Sequence, residues 1–129
     1  MTNPMPSHDK ARAIVNAALE RKAEEPVALD VSTLTSFADA FVLLVGRSDR
    51  QVRSIAEEVT RMLKQTGDPP LGVEGLDEGR WVLIDGNDVI CHVFSPEARA
   101  QYDLERLWHD APPIELDLPE ETVSSEASP

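Results

Sequence analysis

The stretch Arg80–Phe94, RWVLIDGNDVICHVF, decides the fold. Two apolar runs, RWVLID (80–85) and DVICHVF (88–94), flank Gly86-Asn87. Both residues of that pair accept positive φ, so the spacing predicts two strands joined by a two-residue hairpin turn. Along the second strand Asp88, Ile90, His92 and Phe94 alternate with Val89, Cys91 and Val93. One face therefore combines a carboxylate, an imidazole and large apolar groups. Interface centres often carry that mix, and a plain core with a satisfied histidine is the other reading. Trp81, Tyr102 and Trp108 face the same choice between filling core and anchoring a contact.

Working outward, DPPLGVEG (68–75) opens rigid and ends in a short strand around Val73. After the hairpin, Ser95-Pro96 starts a helix, because Ser caps and Pro fits the first helical position. Its apolar residues are Ala98, Tyr102, Leu104, Leu107 and Trp108. Upstream, Ala11, Ile14, Val15, Ala18 and Leu19 recur at helical spacing from an N-cap at Ser7, and Glu24-Glu25-Pro26 ends that helix. VALDV (27–31) reads as a strand with Val27, Leu29 and Val31 on one face, STLTSFAD as a polar connection, and AFVLLVG (40–46) as a central strand covered on both sides. Ser48 and Gln51 form a capping box for a helix buried along Val52, Ile55, Ala56, Val59, Met62 and Leu63, with Gly67 as its stop. The order α-β-β-α-β-β-β-α predicts an α/β fold, a mixed sheet of about five strands packed by helices. Residues 1–6 form a loose lead and 7–109 the domain. Residues 110–129 read as a disordered acidic, Pro/Ser-rich tail, although PPIELDLP near its start has the composition of an extended segment that docks locally.

The chain has 129 residues and a formal charge of −12. Six acids and no Lys or Arg lie from Asp110 onward, which leaves 18 acids and 12 bases before it, a net of −6. That balance argues against broad electrostatic binding to nucleic acid and favours a basic protein surface as a macromolecular partner, unless the acidity serves solubility alone. The single cysteine, Cys91, excludes an internal disulfide framework and fits a reducing cytosol. The N-terminus has no apolar stretch of the kind that marks a signal peptide, and no apolar run approaches the roughly 20 residues that span a bilayer.

Three constellations carry chemistry on paper. Asp85, Asp88 and Glu74 near one turn suggest a divalent cation, and VGRSDR at a strand-to-helix junction suggests an anion site; together they sketch a metal-dependent nucleotidyltransferase. Against this, Asp is common at turns for local reasons, GRSDR lacks the glycines of a P-loop, and a capping box explains it. Cys91 and His92 are strand neighbours pointing to opposite faces, so they cannot act together as nucleophile and base. His8 and His109 make no metal-ligand spacing. The sequence therefore implies no catalytic residue, metal or cofactor.

PLGVEG (70–75), RWVLIDGNDVICHVF (80–94) and SPEARAQYDLERLW (95–108), with ALDVSTLTSFADAFVLLVGRSDRQVRSIAEEV (28–59), resemble the ribosomal silencing factor family, also called Iojap-like. Trp81, Asp85, Asp88, Val89, His92 and Phe94 match the family's hairpin form W-x-x-x-D-x-x-D-V-x-x-H-x-F, and the resemblance runs from about Ser7 to Trp108. It implies a fold of nucleotidyltransferase-like topology without the catalytic acids. It also implies a repressor of translation in the cytoplasm, linked to large-subunit maturation. Such a protein binds the large ribosomal subunit through large-subunit ribosomal protein fourteen and blocks joining of the small subunit. The contact residues it points to are Trp81, Asp85, Asp88, His92, Tyr102, Leu104, Glu105 and Trp108. The nucleotidyltransferase and a homodimer with a self-complementary apolar face stand as the alternatives.

Overall fold

The structure, a computed structural model, describes residues 5–101 and 109–116. The elements are α1 (Ser7–Glu20), β1 (Glu24–Asp30), β2 (Ala40–Val45), α2 (Asp49–Gln65), β3 (Gly72–Glu74), β4 (Trp81–Asp85), β5 (Val89–Phe94) and α3 (Pro96–Gln101). They build the mixed five-stranded sheet that the pattern predicts, in the order β1-β2-β5-β4-β3. β2 and β5 run parallel at its centre, and the other neighbours pair antiparallel. The apolar character of β2 and β5 follows from that position, because both faces are covered. On one face α1 and α2 lie over Ala28, Ala40, Val42, Leu44, Val82, Ile84, Val89, Cys91 and Val93. On the other, Leu29, Val31, Leu43, Ile90 and Phe94 meet Ala98 and Ala111.

α2 has the start and stop its sequence announces. The Ser48 hydroxyl accepts the Gln51 N–H at 3.1 Å. Gln51 Oε1 accepts from Arg47 N–H at 2.7 Å, one residue ahead of the reciprocal bond of a capping box. At the far end Gly67 takes φ +82°, with Asp68 N–H donating to Leu63 O and Gly67 N–H to Lys64 O. These are the two bonds of a Schellman close.

Four local expectations change. Pro6, not Ser7, is the N-cap of α1. The Ser7 hydroxyl instead lies 2.7 Å from Asp88 Oδ2 and 2.9 Å from Asp39 Oδ2, drawn to carboxylates from distant loops. α1 ends at Glu20, before the expected Glu24-Glu25-Pro26, because Lys22 turns into the left-handed region at φ +64°. Those three residues belong to β1, where Glu25 at φ +51° sits in a register shift between Glu24 and Val27. The β4–β5 turn is centred on Asn87-Asp88, one residue later than expected. Asp85 pairs with Ile90, Gly86 N–H donates to Val89 O at 3.0 Å to close the hairpin, and Asn87 supplies the positive φ.

The fourth change concerns the segment expected to be a tail from residue 110. Ala111 and Ile114 are buried. Asp30 N–H donates to Pro112 O and Ile114 N–H to Ala28 O, each at 2.8 Å, so 112–114 lies as a short antiparallel ladder on the free edge of β1. Satisfying those edge groups and burying Ile114 outweighs the acidic composition. The extended-docking alternative for PPIELDLP describes residues 112–116; residues 117–129 lie outside the described residues.

Candidate interaction face

The alternation of β4 puts Trp81, Leu83 and Asp85 on the face away from α1 and α2, beside Ile90, His92 and Phe94 of β5 and Phe41 and Leu43 of β2. Four rings form a row there. Trp81 stacks on Phe94 at 5.5 Å between centroids, His92 stacks on Phe94 at 5.9 Å, and Phe41 meets His92 edge-on at 5.3 Å. Trp81, Leu83 and Phe41 are only half-buried.

His92 has a definite protonation state. The Trp81 indole N–H, which can only donate, lies 3.1 Å from His92 Nδ1, so Nδ1 is the acceptor and the ring proton resides on Nε2. Burial pushes the imidazole pKa down to about 4, so the ring is neutral at pH 7. That leaves Nε2–H as a buried donor with no acceptor among the described residues. Leaving such a group unmatched costs about 1–3 kcal/mol.

The two hairpin acids part company. Asp85 shares the face of Trp81, and its Oδ1 accepts the Asn87 N–H at 2.9 Å. Asp88 turns to the opposite side, where its carboxylate accepts from Lys10 Nζ at 2.8 Å as well as from Ser7. Lys10 is 1% exposed and gives its remaining protons to Asp68 Oδ2 and Gly86 O, both at 2.6 Å. Burial disfavours the charged Asp88, but the Lys10 and Ser7 hydrogen bonds outweigh it and hold the carboxyl below its usual range. Asp88 is thus a structural tie between α1 and the hairpin. Glu74, exposed on β3, pairs in register with Leu83 and so stands on the Trp81 face. None of the five strands contains a Lys or Arg, and the acids Glu74 and Asp85 border the apolar row.

This geometry does not fit the nucleotidyltransferase sketch. The Asp85–Asp88 turn precedes β5, whereas GRSDR follows β2, and the two strands are parallel. The two features therefore lie at opposite ends of the sheet, roughly 20 Å apart at the rise of a six-residue strand. Asp85 and Asp88 also face opposite sides and cannot converge on one cation.

Of the residues singled out from sequence, Trp81, Asp85 and His92 come together, and Asp88 does not join them. Tyr102, Leu104, Glu105 and Trp108 lie outside the described residues. Sequence reasoning missed Phe41 and Leu83, which complete the half-buried row; AFVLLVG gave no sign that one face was less covered. It also missed Lys10, whose only signal was a lysine one residue ahead of the apolar stripe of α1.

The fold and this face define a small α/β protein with an aromatic, acid-bordered sheet surface and no convergent set of catalytic acids among the described residues. The chain belongs to the ribosomal silencing factor family: the family model described as ribosomal silencing factor during starvation matches residues 4–129. A relative named ribosomal silencing factor RsfS in Halalkalibacterium halodurans is 41% identical over 113 residues, covering 88% of this chain and 97% of its own. A crystal structure of a Chromobacterium violaceum protein superposes with a TM-score of 0.79 at 36% identity, covering 81% of this chain and 88% of that one. A more distant mouse relative, named mitochondrial assembly of ribosomal large subunit protein 1, is 29% identical over 98 residues, 74% of this chain and 43% of its own.

Proposed function

We propose that this protein represses translation in the cytosol by binding the large ribosomal subunit through ribosomal protein fourteen and standing where the small subunit would join. The observation that carries the reading is the face just described: half-buried Trp81 and Phe41 beside His92, with Asp85 and Glu74 at its border. A partner offering Arg or Lys side chains would pair the acids, and its apolar groups would cover the partly open rings. Ribosomal RNA phosphates would be repelled by the same acids, so a protein of the subunit is the fitting target. No bond is made or broken. A folded body of about 100 residues is roughly 30 Å across, and placing it on the joining surface is enough to keep two large particles apart.

The test is reassociation of purified subunits, followed by gradient sedimentation with increasing amounts of the protein. Joined ribosomes should decline as occupancy of large subunits rises. Trp81→Ala should weaken binding by about 2 kcal/mol, roughly 30-fold, as an interface hot spot does. Thermal melting of the variant separates lost contact from lost fold. Unimpeded joining at saturating protein would refute the mechanism, and undiminished binding by a folded Trp81→Ala variant would refute the placement of the face. Sedimentation of the protein alone reports a homodimer that would compete for the same surface.

A further inference from the structure

We infer that the loop between β1 and β2 is the outer anchor of this interface, with Phe37 inserting into an apolar cleft of the basic partner protein and Leu34 packing beside it; the inference rests on the binding reading above. Three large hydrophobic side chains are exposed among the described residues: Leu34 at 43%, Phe37 at 68% and Leu71 at 71%. Two of them stand in this one loop. At 68% exposure the Phe37 side chain contributes little to the core, and its ring is not isolated. Its centroid lies 6.3 Å from that of Phe41, which in turn meets His92 at 5.3 Å. The aromatic row therefore continues without a break from Trp81 on β4, across β5 and β2, onto the loop.

The loop is held in shape. Leu34 and Thr35 N–H both donate to Val31 O, Val31 N–H donates to Asp39 O, and Asp39 N–H donates to Asp88 O at 2.7 Å. Phe37 N–H reaches the Thr35 hydroxyl at 3.3 Å, and Asp30 Oδ1 accepts from both the backbone and the hydroxyl of Ser32. An aromatic fixed on such a frame loses little freedom on binding, which is what an anchor requires. Charge selects the partner. No Lys or Arg occurs from Ala23 to Gly46, and Asp30 and Asp39 bracket the loop. A polyanion is disfavoured there, whereas a protein surface with Arg or Lys around an apolar cleft is complementary. Leu71 stands at the same end of the sheet, its N–H bonded to Asp85 O at 2.7 Å, but alternation from Gly72 and Glu74 puts it with Val73 rather than with the aromatic row, so it is left out of the anchor.

The experiment measures binding of the full chain to isolated large subunits at moderate salt, comparing wild type with Phe37→Ala, Leu34→Ala, Trp81→Ala and, at the opposite end of the sheet, Arg47→Ala. Phe37→Ala should lose about tenfold in affinity or more, Leu34→Ala less, and Arg47→Ala should match wild type. Because Phe37 is two-thirds exposed, the melting temperature should stay within a degree or two of wild type. Equal binding by wild type and Phe37→Ala, while Trp81→Ala loses affinity, would overturn the anchor and leave the central face standing. Absence of binding by wild type itself would sink both. Should Phe37→Ala abolish self-association of the free chain and leave subunit binding unchanged, the loop would belong to a contact between two copies, and the inference would fall.

Discussion

Replacing the buried Lys10 with methionine should destabilise this protein by several kcal/mol, on the order of the loss of a buried ion pair. The apolar stem of methionine fills the same channel, so the perturbation is confined to the ammonium. What is lost is a donor 1% exposed that serves Asp68, Gly86 O and Asp88. Gly86 O would keep only the longer bond from Asp88 N–H at 3.1 Å, and the Asp88 carboxylate would lose its one cationic partner while retaining the Ser7 hydroxyl. Breaking a buried charge pair from one side costs about 3–5 kcal/mol. The side chains of Asp68 and Asp88 retain 40% and 30% exposure, so water takes up part of the loss and the low end applies, about 3 kcal/mol. For a folded unit of this size that is a fall in Tm of about 12 °C, readable by circular dichroism at pH 7. A fall of less than about 3 °C would refute the assignment of Lys10 as the tie between α1 and the hairpin. The pH dependence supplies an independent check. Burial works to lower the Lys10 pKa, but its bonds to Asp68 and Asp88 win and hold it above the ordinary 10.5. Its contribution is thus complete below that value and lost as pH rises through the raised one. The depressed carboxyl of Asp88 contributes above about pH 3.9 and is lost as pH falls through its lower folded value. The stability gap between wild type and Lys10→Met should therefore narrow at both extremes and be widest between them.

Two further outcomes follow from buried groups. His92 should remain neutral down to about pH 4, and since the unfolded chain takes up the proton near 6.5, stability should fall as pH drops between those values. Ring carbon shifts followed by NMR check this, and a midpoint near 6.5 would contradict the burial. Ile114→Ala should cost about 2–3 kcal/mol in urea unfolding, as for a buried isoleucine, because residue 114 is 4% exposed against the α1 side of the core. A change below about 0.5 kcal/mol would show that the 111–116 segment contributes nothing to the fold.

Much of the architecture was readable one element at a time. The period of α2, its Ser48 start and its Gly67 stop are local facts, set by side chains within four residues of the backbone they satisfy. The alternation of the hairpin and the doubly apolar β2 likewise follow from period and composition. Ser7 and Glu24–Pro26 depart from the sequence expectation for one cause: locally, a hydroxyl reads as a cap and a proline as a helix stop. The structure gave each a partner outside the local segment, Asp88 for Ser7 and the bulged pairing with β2 for the glutamates. The candidate face shows the same division. Trp81, Asp85 and His92 could be put on one side by counting in twos, but Asp88 could not, because it sits in the turn where alternation stops.

By itself, then, the chain determined which segments are helix and strand, which of their sides are apolar, and that no cysteine pair or metal-ligand spacing is present. Only the tertiary structure decided how charges pair and which apolar sides stay partly open. Lys10 and Asp88 lie 78 residues apart and meet because α1 crosses the end of the sheet where the hairpin turns. Phe37, Phe41, His92 and Trp81 come from four different elements and touch because β2, β5 and β4 are neighbours in an order the sequence does not spell. Local propensity acts over a few residues and leaves its mark in them. Burial, ion pairing and exposure depend on what the rest of the chain brings to the same place, and that is fixed only when the layers close.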